Sequence, residues 1–388
     1  MISFNNTEIA FKHKTNADLR RAHFLFSVMA KPGLVKVGKG ATNCLLNVGM
    51  PIKGIIKATI FRQFCGGETI QECTNTINSM WKNHVGTILD YSVEGKTSPE
   101  DFEVTTNEII ATIHKAKGNP GIPFAVFKVT GISRFALLEK ANPGIESLTD
   151  SEKAEYDLIV ERIDRICKAG FDSNVPVFID AEETWIQDTI DRICHQMMEQ
   201  YNQQEAIVFN TVQLYRHDRL EFIKQSIQWA KEQKLHYGVK LVRGAYMEKE
   251  RKRASEKGYP SPIQPDKETC DKEYDETLLY LVDNLEYIAL CAGSHNEKSS
   301  AYLADLMEQK GIDKKDKRIY FAQLLGMSDH ISYNLAHAGY NVAKYVPYGP
   351  VKEVIPYLLR RADENTSVKG QTGRELSLIR QEKARRKI

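Results

Sequence analysis

Short runs of apolar, β-branched and aromatic residues, each closed by polar or turn residues, recur along the chain from about residue 84. They are VGTILDYSV (85–93), FAVFKVTGI (124–132), VPVFIDAEE (175–183), AIVFNTVQLY (206–215), YGVKLVRGAY (237–246), YIALCAGSHN (287–296), RIYFAQLLGM (318–327) and VAKYVPYG (342–349). Between them the apolar period becomes helical. Ser98-Pro99-Glu100-Asp101 reads as an N-cap, a proline at the first helical position and acids in the first turn. Leu158, Ile159, Ile163 and Ile166 lay an apolar stripe along Ala154 to Ala169. Strands alternating with helices pair in parallel through right-handed crossovers, and eight such units over about 265 residues have the size of a (β/α)8 barrel. An open doubly wound sheet is the alternative, disfavoured by eight evenly spread units and by the lack of a Gly-rich turn after the first strand. The predicted organisation is an α/β chain with a helical N-terminal arm (1–83), a barrel (84–368) and a basic tail (369–388) that is a short helix or a frayed end.

In such a barrel the chemistry gathers at the C-terminal ends of the strands. Polar residues fall there in number: Lys128 after FAVF, Asp180 opening DAEE, Gln213, Lys240 and Arg243 in KLVRGAY, Ser294-His295-Asn296, Gln323 and Tyr345. A charge inside an apolar run is costly unless it is paired or bound to a ligand. Any one of these could be a structural ion pair, whereas five or more converging on one rim point to a site. Strict alternation puts Lys240 and Arg243 on opposite faces, so either the strand ends near Val242 or only one of them reaches the pocket.

The segment KYVPYGPVKEVIPYLLRRADEN (344–365) carries two faces. Val351, Val354, Ile355, Leu358, Leu359 and Ala362 make an apolar stripe; Tyr357, Arg360, Arg361 and Glu364 make a second face at i, i+3, i+4, i+7. Pro356 is expected to kink or restart this helix. An arginine pair is ordinarily a solvated surface feature. It can also grip a small carboxylate through its planar forks, provided that the eighth helix lies across the mouth of the barrel with this face inward.

Composition narrows the choice. A chain of 388 residues with 42% hydrophobic and 27% charged residues is globular rather than disordered. With 53 Lys plus Arg against 51 Asp plus Glu, the net charge of +2 provides no general polycation for nucleic acid. Seven scattered cysteines without a C-x-x-C pair argue against a disulfide framework or a zinc ribbon and fit a reducing compartment. No apolar run reaches the roughly 18 residues of a spanning helix, and the N-terminus shows no signal-peptide core. The expectation is a soluble intracellular, cytoplasmic protein, with a peripheral place on the inner membrane face open to it (mitochondrial in a eukaryote).

GLVKVGKG (33–40) is one residue from a P-loop but has Gly40 where Ser or Thr must stand, and no strand precedes it, so it is set aside. G-x-G-x-x-G, H-E-x-x-H and G-x-S-x-G do not occur. Residues 31–62 carry Lys31, Lys36, Lys39, Lys53, Lys57 and Arg62, with no acid, among leucines and isoleucines. Such a stretch could rest on an anionic membrane; the simpler reading is an arm helix packed on the barrel with its lysines outward.

Taken together, KLVRGAY, DAEE, FAQLLGM and KYVPYGPVKEVIPYLLRRADEN resemble the proline dehydrogenases, in particular the monofunctional kind typical of mitochondria, from FRQFCGGET (61–69) to ENTS (364–367). The resemblance implies a distorted (β/α)8 barrel with the eighth helix over its mouth, and FAD as cofactor. It also implies oxidation of L-proline to Δ1-pyrroline-5-carboxylate by hydride transfer from C5 to flavin N5, with a quinone as electron acceptor. Arg360 and Arg361 match the family's carboxylate-binding pair and Lys128 its lysine partner, while Tyr345, Tyr357 and Leu324 match residues that enclose the proline ring. Asp180 and Lys240 match two positions of the catalytic centre. Many bacterial members have arginine at the latter; lysine keeps the charge and loses the fork. Ala181, Gln213, Lys240, Arg243, Gly244, Ala245, Ser294 and His295 match flavin-contacting positions. Glu68 in GGET matches a carboxylate that pairs with an arginine of the eighth helix and gates the site. Related hydroxyproline dehydrogenases have Ser where this chain has Tyr345, so the tyrosine favours proline. Two other readings stay open on the residues alone: a Schiff-base lyase or aldolase using Lys128 or Lys240, and a non-catalytic membrane adaptor using the basic arm.

Overall fold

The structure, a computed structural model, describes residues 2–31, 33, 53–93, 97–367 and 371–388, and within these no side chains at 363–367 or 371–372. The near-P-loop beyond Gly33, Cys44, most of the basic stretch 31–62 and the Glu364 side chain therefore lie outside the described residues.

All eight predicted runs form strands: β1 (Val85–Tyr91), β2 (Phe124–Lys128), β3 (Val177–Asp180), β4 (Val208–Gln213), β5 (Tyr237–Val242), β6 (Ile288–Gly293), β7 (Ile319–Leu324) and β8 (Val342–Tyr348). They pair in parallel in chain order, and β8 closes on β1, giving a (β/α)8 barrel. Most strands stop a few residues before the end of their apolar run, because the polar residues that finish each run belong to the loops of the mouth. β5 ends at Val242, so Lys240 lies within the strand and Arg243 just beyond it, which resolves their conflict of faces.

The first of the two helices begins where its cap predicts, and the second begins at Asp150, ahead of the expected Ala154. Ser98 accepts the Asp101 N–H at 3.1 Å ahead of Pro99–Ala116. Thr149 and Glu152 cap each other reciprocally at the start of Asp150–Ser173. In that second helix Ile159, Ile163 and Ile166 are buried, but Leu158 is 49% exposed, one residue off the stripe.

Side chains of alternate strand positions fill the barrel. Ile88, Phe124, Val126, Phe178, Phe209, Cys291, Ala322, Ala343 and Tyr345 form its interior core. Phe124 and Phe178 stack at 4.4 Å, and Phe178 lies parallel to Tyr345 at 6.3 Å. A second core lies outside it, between the arm helix Asn16–Met29, the eighth helix Val351–Ser367 and the C-terminal helix Gln371–Arg385. Phe11, Leu19 and Phe26 of the arm meet Val351, Val354, Ile355 and Leu358 of the eighth helix and Leu376 and Ile379 of the C-terminal helix.

This second core decides between the two readings of the tail and bears on the eighth helix. The tail is a helix of 15 residues with a buried face, not a frayed end. The eighth helix runs on through Pro356 without a break; the proline is exposed, so water can reach the carbonyl whose helical partner it lacks. Residues 74–81, assigned to the arm, form a helix whose Ile77 and Met80 belong to the barrel's own core.

Candidate active site

The inward-facing parity of the strands carries the polar residues to the mouth. Lys128 lies beside Asp180 in the β2–β3 register. Leu324 lies beside Tyr345 in β7–β8, and Tyr345 beside Ile88 in β1. At the centre, Lys240 Nζ is ion-paired with Asp180 and donates to the Tyr345 hydroxyl at 2.5 Å, while that hydroxyl lies 3.4 Å from Asp180 Oδ1. The same ammonium stands 4.7 Å from the Tyr345 ring centroid and 5.4 Å from that of Phe178. Lys240 is 4% exposed, so both its charge and its position are fixed by these partners.

Two further residues join this group that the sequence reading left out. Asp90 is on β1 two positions beyond Ile88, on the same inward parity; burial pushes its carboxyl up, Asp180 pushes the same way, and Lys128 opposes them. Glu182, quoted in DAEE but given no role, is buried and takes the Thr130 N–H at 3.0 Å and the Thr130 hydroxyl at 2.5 Å. Burial raises its carboxyl from 4.5 to about 7, with the Lys128 charge opposing. The parity of Asp90 with Ile88 was the signal available for the first; Glu182 had none beyond its neighbour Asp180.

The Glu182 shift has a consequence for stability. A carboxyl raised in the folded state binds more protons than the unfolded chain between 4.5 and about 7, so stability falls as pH rises through that window. Glu182→Gln is expected to raise the melting temperature relative to wild type, the gap widening by several degrees from pH 5 to 7 and then levelling off. A gap that does not change with pH would show that Glu182 carries no such penalty.

The flavin-matching positions line the side of the mouth formed by β3 to β6. Gln213 is buried and donates to the Glu182 carbonyl at 2.7 Å, tying the ends of β3 and β4 beside the buried Ala181. Arg243 donates to Asp271 at 2.7 Å, to Ser294 Oγ at 2.9 Å and to Ser299 Oγ at 2.9 Å, over the Tyr274 ring at 4.2 Å. Gly244 follows at φ +129°, where a Cβ would fall 2.5 Å from the Tyr215 ring, so only glycine suits both the backbone and the space. Gly244 and Ala245 are exposed to the mouth. His295 faces Ser328 Oγ through Nδ1 at 2.9 Å; burial, then the nearby charges of Lys344 and Arg361, push its imidazole down to about 3, so the ring is neutral. A cationic guanidinium, an amide, hydroxyls, a neutral imidazole and a small-residue edge open to the mouth fit a flavin dinucleotide, which needs donors for its ring and phosphates and space for a flat ring.

The eighth helix reaches this mouth. The charge of Arg360 bears on Tyr246, just past β5, together with Lys128 and Glu182. That of Arg361 bears on His295, just past β6. A helix that starts after β8 thus lies within electrostatic reach of the loops after β5 and β6. Arg361 is buried, 5.1 Å from the centroid of the buried Tyr357 ring. Glu68 is held by Lys57 at 2.6 Å and Lys53 at 2.9 Å, and accepts the Val351 N–H at 3.2 Å, so its contact with the eighth helix is at that helix's first residue. The two lysines and the backbone N–H hold its carboxyl at about 2.

Comparison with known proteins agrees with this geometry. Residues 73–374 match the family model described as proline dehydrogenase. The chain is 32% identical over 384 residues to proline dehydrogenase 1, mitochondrial, of Dictyostelium discoideum, covering 88% of this chain and 67% of that protein. It is 30% identical over 425 residues to hydroxyproline dehydrogenase of Xenopus laevis, covering 99% and 90%. Among solved structures, proline utilization A from Bdellovibrio bacteriovorus superposes with a TM-score of 0.73 at 20% identity, over 93% of this chain and 38% of that one, a likeness of fold. A family match over most of the chain shows that this chain belongs to the proline dehydrogenase family.

Proposed function

We propose that the chain oxidises L-proline to Δ1-pyrroline-5-carboxylate, the C5 hydride passing to N5 of FAD and the electrons then to a quinone. The observation that carries this reading is the meeting, in one mouth, of the Arg360–Arg361 face with Lys128 and with the flavin-matching rim on β3 to β6. FAD, when bound, supplies the hydride acceptor. The chain's own residues do the rest. Arg360 and Arg361 grip the substrate carboxylate, with Lys128 as a third cation, and set the ring in one orientation. Tyr345, Tyr357 and Leu324 enclose the ring and keep out water. Asp180 holds Lys240 beneath the reacting edge, where a fixed positive charge favours the electron-rich product state. The proline nitrogen gives up a proton before C5 can release hydride, and in this reading solvent takes it. Glu68, bridging arm lysines and the first turn of the eighth helix, is placed to hold or release that helix as a gate. The quinone step brings the chain to a membrane surface, and the basic, acid-free stretch 31–62 is the contact this reading offers, against the simpler one of an arm packed on the barrel. Among the described residues no helix is long and apolar enough to cross a membrane.

The Schiff-base alternative needs a free amine, whereas Lys240 is committed to Asp180 and Tyr345. The test is the visible spectrum: flavin bands near about 450 nm are expected to bleach on anaerobic addition of L-proline. Bands that persist would sink proline as substrate, and a protein that takes up no FAD would sink the whole reading.

The Xenopus relative raises hydroxyproline as a second substrate. Tyr345 is pinned by Lys240 and parallel to Phe178, and in this reading its ring takes the space that a ring hydroxyl would need. Tyr345→Ser is expected to raise the hydroxyproline-to-proline ratio of kcat/KM by about tenfold, the scale of one group's fit in a pocket. An unchanged ratio would remove Tyr345 as the selector.

A further inference from the structure

The loop after β7 is held from outside the barrel by both ends of the chain. Gly326 O accepts Gln63 Nε2 of the arm at 2.9 Å, and Lys344 Nζ donates to Met327 O at 2.6 Å and to Leu324 O at 3.3 Å. Ser328 follows with φ +51° and ψ +39°, a left-handed conformation that costs an L-residue about 1–2 kcal/mol. It is fully buried. Its N–H donates to Oε1 of Glu375, a residue of the C-terminal helix, 2% exposed. Its Oγ meets His295 Nδ1 at 2.9 Å, while His295 Nε2 faces the Leu324 N–H at 3.5 Å. A backbone N–H aimed at Nε2 leaves the ring proton on Nδ1, pointing to Ser328. Glycine would relieve the backbone at 328 but would remove the oxygen that reads this proton. The other groups facing Glu375 are His330, with Nδ1 at 3.9 Å, and the charges of Asp329 and Lys344. Glu375 lies one residue beyond the stretch that matches the family model.

We propose that Glu375 is a positioning residue of the cofactor site: by holding the Ser328 N–H it keeps Ser328 Oγ in place to accept the Nδ1 proton, and this shorter bond, with the long one from the Leu324 N–H to Nε2, holds the orientation and the Nδ1–H tautomer of His295. The C-terminal helix is thus part of the catalytic unit. The proposal rests on the reading of His295 as a flavin contact only for its effect on cofactor affinity; the effect on the ring itself is independent of it.

The test compares wild type, Glu375→Ala, Glu375→Gln and Ser328→Ala as full-length chains. In the flavin-free protein, ¹⁵N NMR of His295 is expected to show the Nδ1–H tautomer in wild type and in Glu375→Gln, whose amide oxygen still accepts the Ser328 N–H. Glu375→Ala and Ser328→Ala are expected to show mixed tautomers. In both, FAD is expected to bind about tenfold more weakly, the worth of one buried hydrogen bond, and the double variant no more weakly than either single one. A folded Glu375→Ala protein with the wild-type tautomer and FAD affinity within about twofold of wild type would overturn the proposal. Should Glu375→Ala fail to fold, Ser328→Ala decides alone: a wild-type tautomer there overturns it equally. Failure of wild type to bind FAD would refute the proposed function, while the tautomer comparison still decides the role of Glu375.

Discussion

Arg361→Ala is expected to lower kcat/KM for L-proline by about a hundredfold or more, and Arg360→Ala by a comparable factor. Removing one member of a buried, hydrogen-bonded charge pair costs about 2–5 kcal/mol, and each 1.36 kcal/mol is about tenfold in rate. Arg361 is the more buried of the two, against Tyr357, with its charge bearing on the His295 side of the mouth; Arg360 bears on Tyr246 and shares that side with Lys128. On the proposed reading the two act from different sides of the mouth, so neither substitutes for the other. Arg361→Lys should recover only part of the loss, since a point charge replaces a planar fork. The specific readout is pyrrolidine, which is proline without its carboxylate: the variants should lose most of their preference for proline over it. A value of kcat/KM for proline within about threefold of wild type would show that the pair does not clamp the carboxylate, since an interaction of this kind is worth far more than that.

The strands were legible because alternation and short apolar runs are local signals. Each run ended in residues such as Asp180, Arg243 or His295, which burial alone would not favour, so the rim could be read along with the barrel. Parity was used less fully than it allowed. Asp90 sits inside VGTILDYSV on the same face as Ile88, and treating the run as one apolar block concealed an inward carboxylate. What no window could supply is contact over long separations. Lys344 is fully buried in β8 because Asp329 pairs with it and the Leu324 and Met327 carbonyls accept from it. Glu375 is buried because Ser328, 47 positions away, needs an acceptor. Read locally, the segment from Lys369 to Ile388 is a charged tail; only its partners make Glu375 and Glu382 interior residues. The same holds for the arm. Its apolar positions cover the eighth helix, in a core that takes in Tyr357 as well.

Asp180→Ala should abolish measurable proline oxidation and also destabilise the fold, by about 3–5 kcal/mol, because it strands a buried cation. Lys240 is 4% exposed, and its only other polar partner among the described contacts is the Tyr345 hydroxyl, which cannot neutralise it. The stability loss and the activity loss have different origins, and a second substitution separates them. Lys240→Met removes the stranded charge while keeping the chain's volume, over the aromatic floor of Phe178 and Tyr345. The double variant Asp180→Ala/Lys240→Met is therefore expected to melt well above Asp180→Ala alone and yet to remain inactive, because on the proposed reading the Lys240 charge is needed for the chemistry. Thermal melts and proline turnover on the four proteins of this cycle check both halves. If Asp180→Ala melts as wild type does, the ion pair is not what holds Lys240 in place. If the double variant turns over proline at more than about a tenth of the wild-type rate, a loss below the tenfold that 1.36 kcal/mol provides, then the Asp180–Lys240 pair is structural and the charge that drives the chemistry lies elsewhere on the rim.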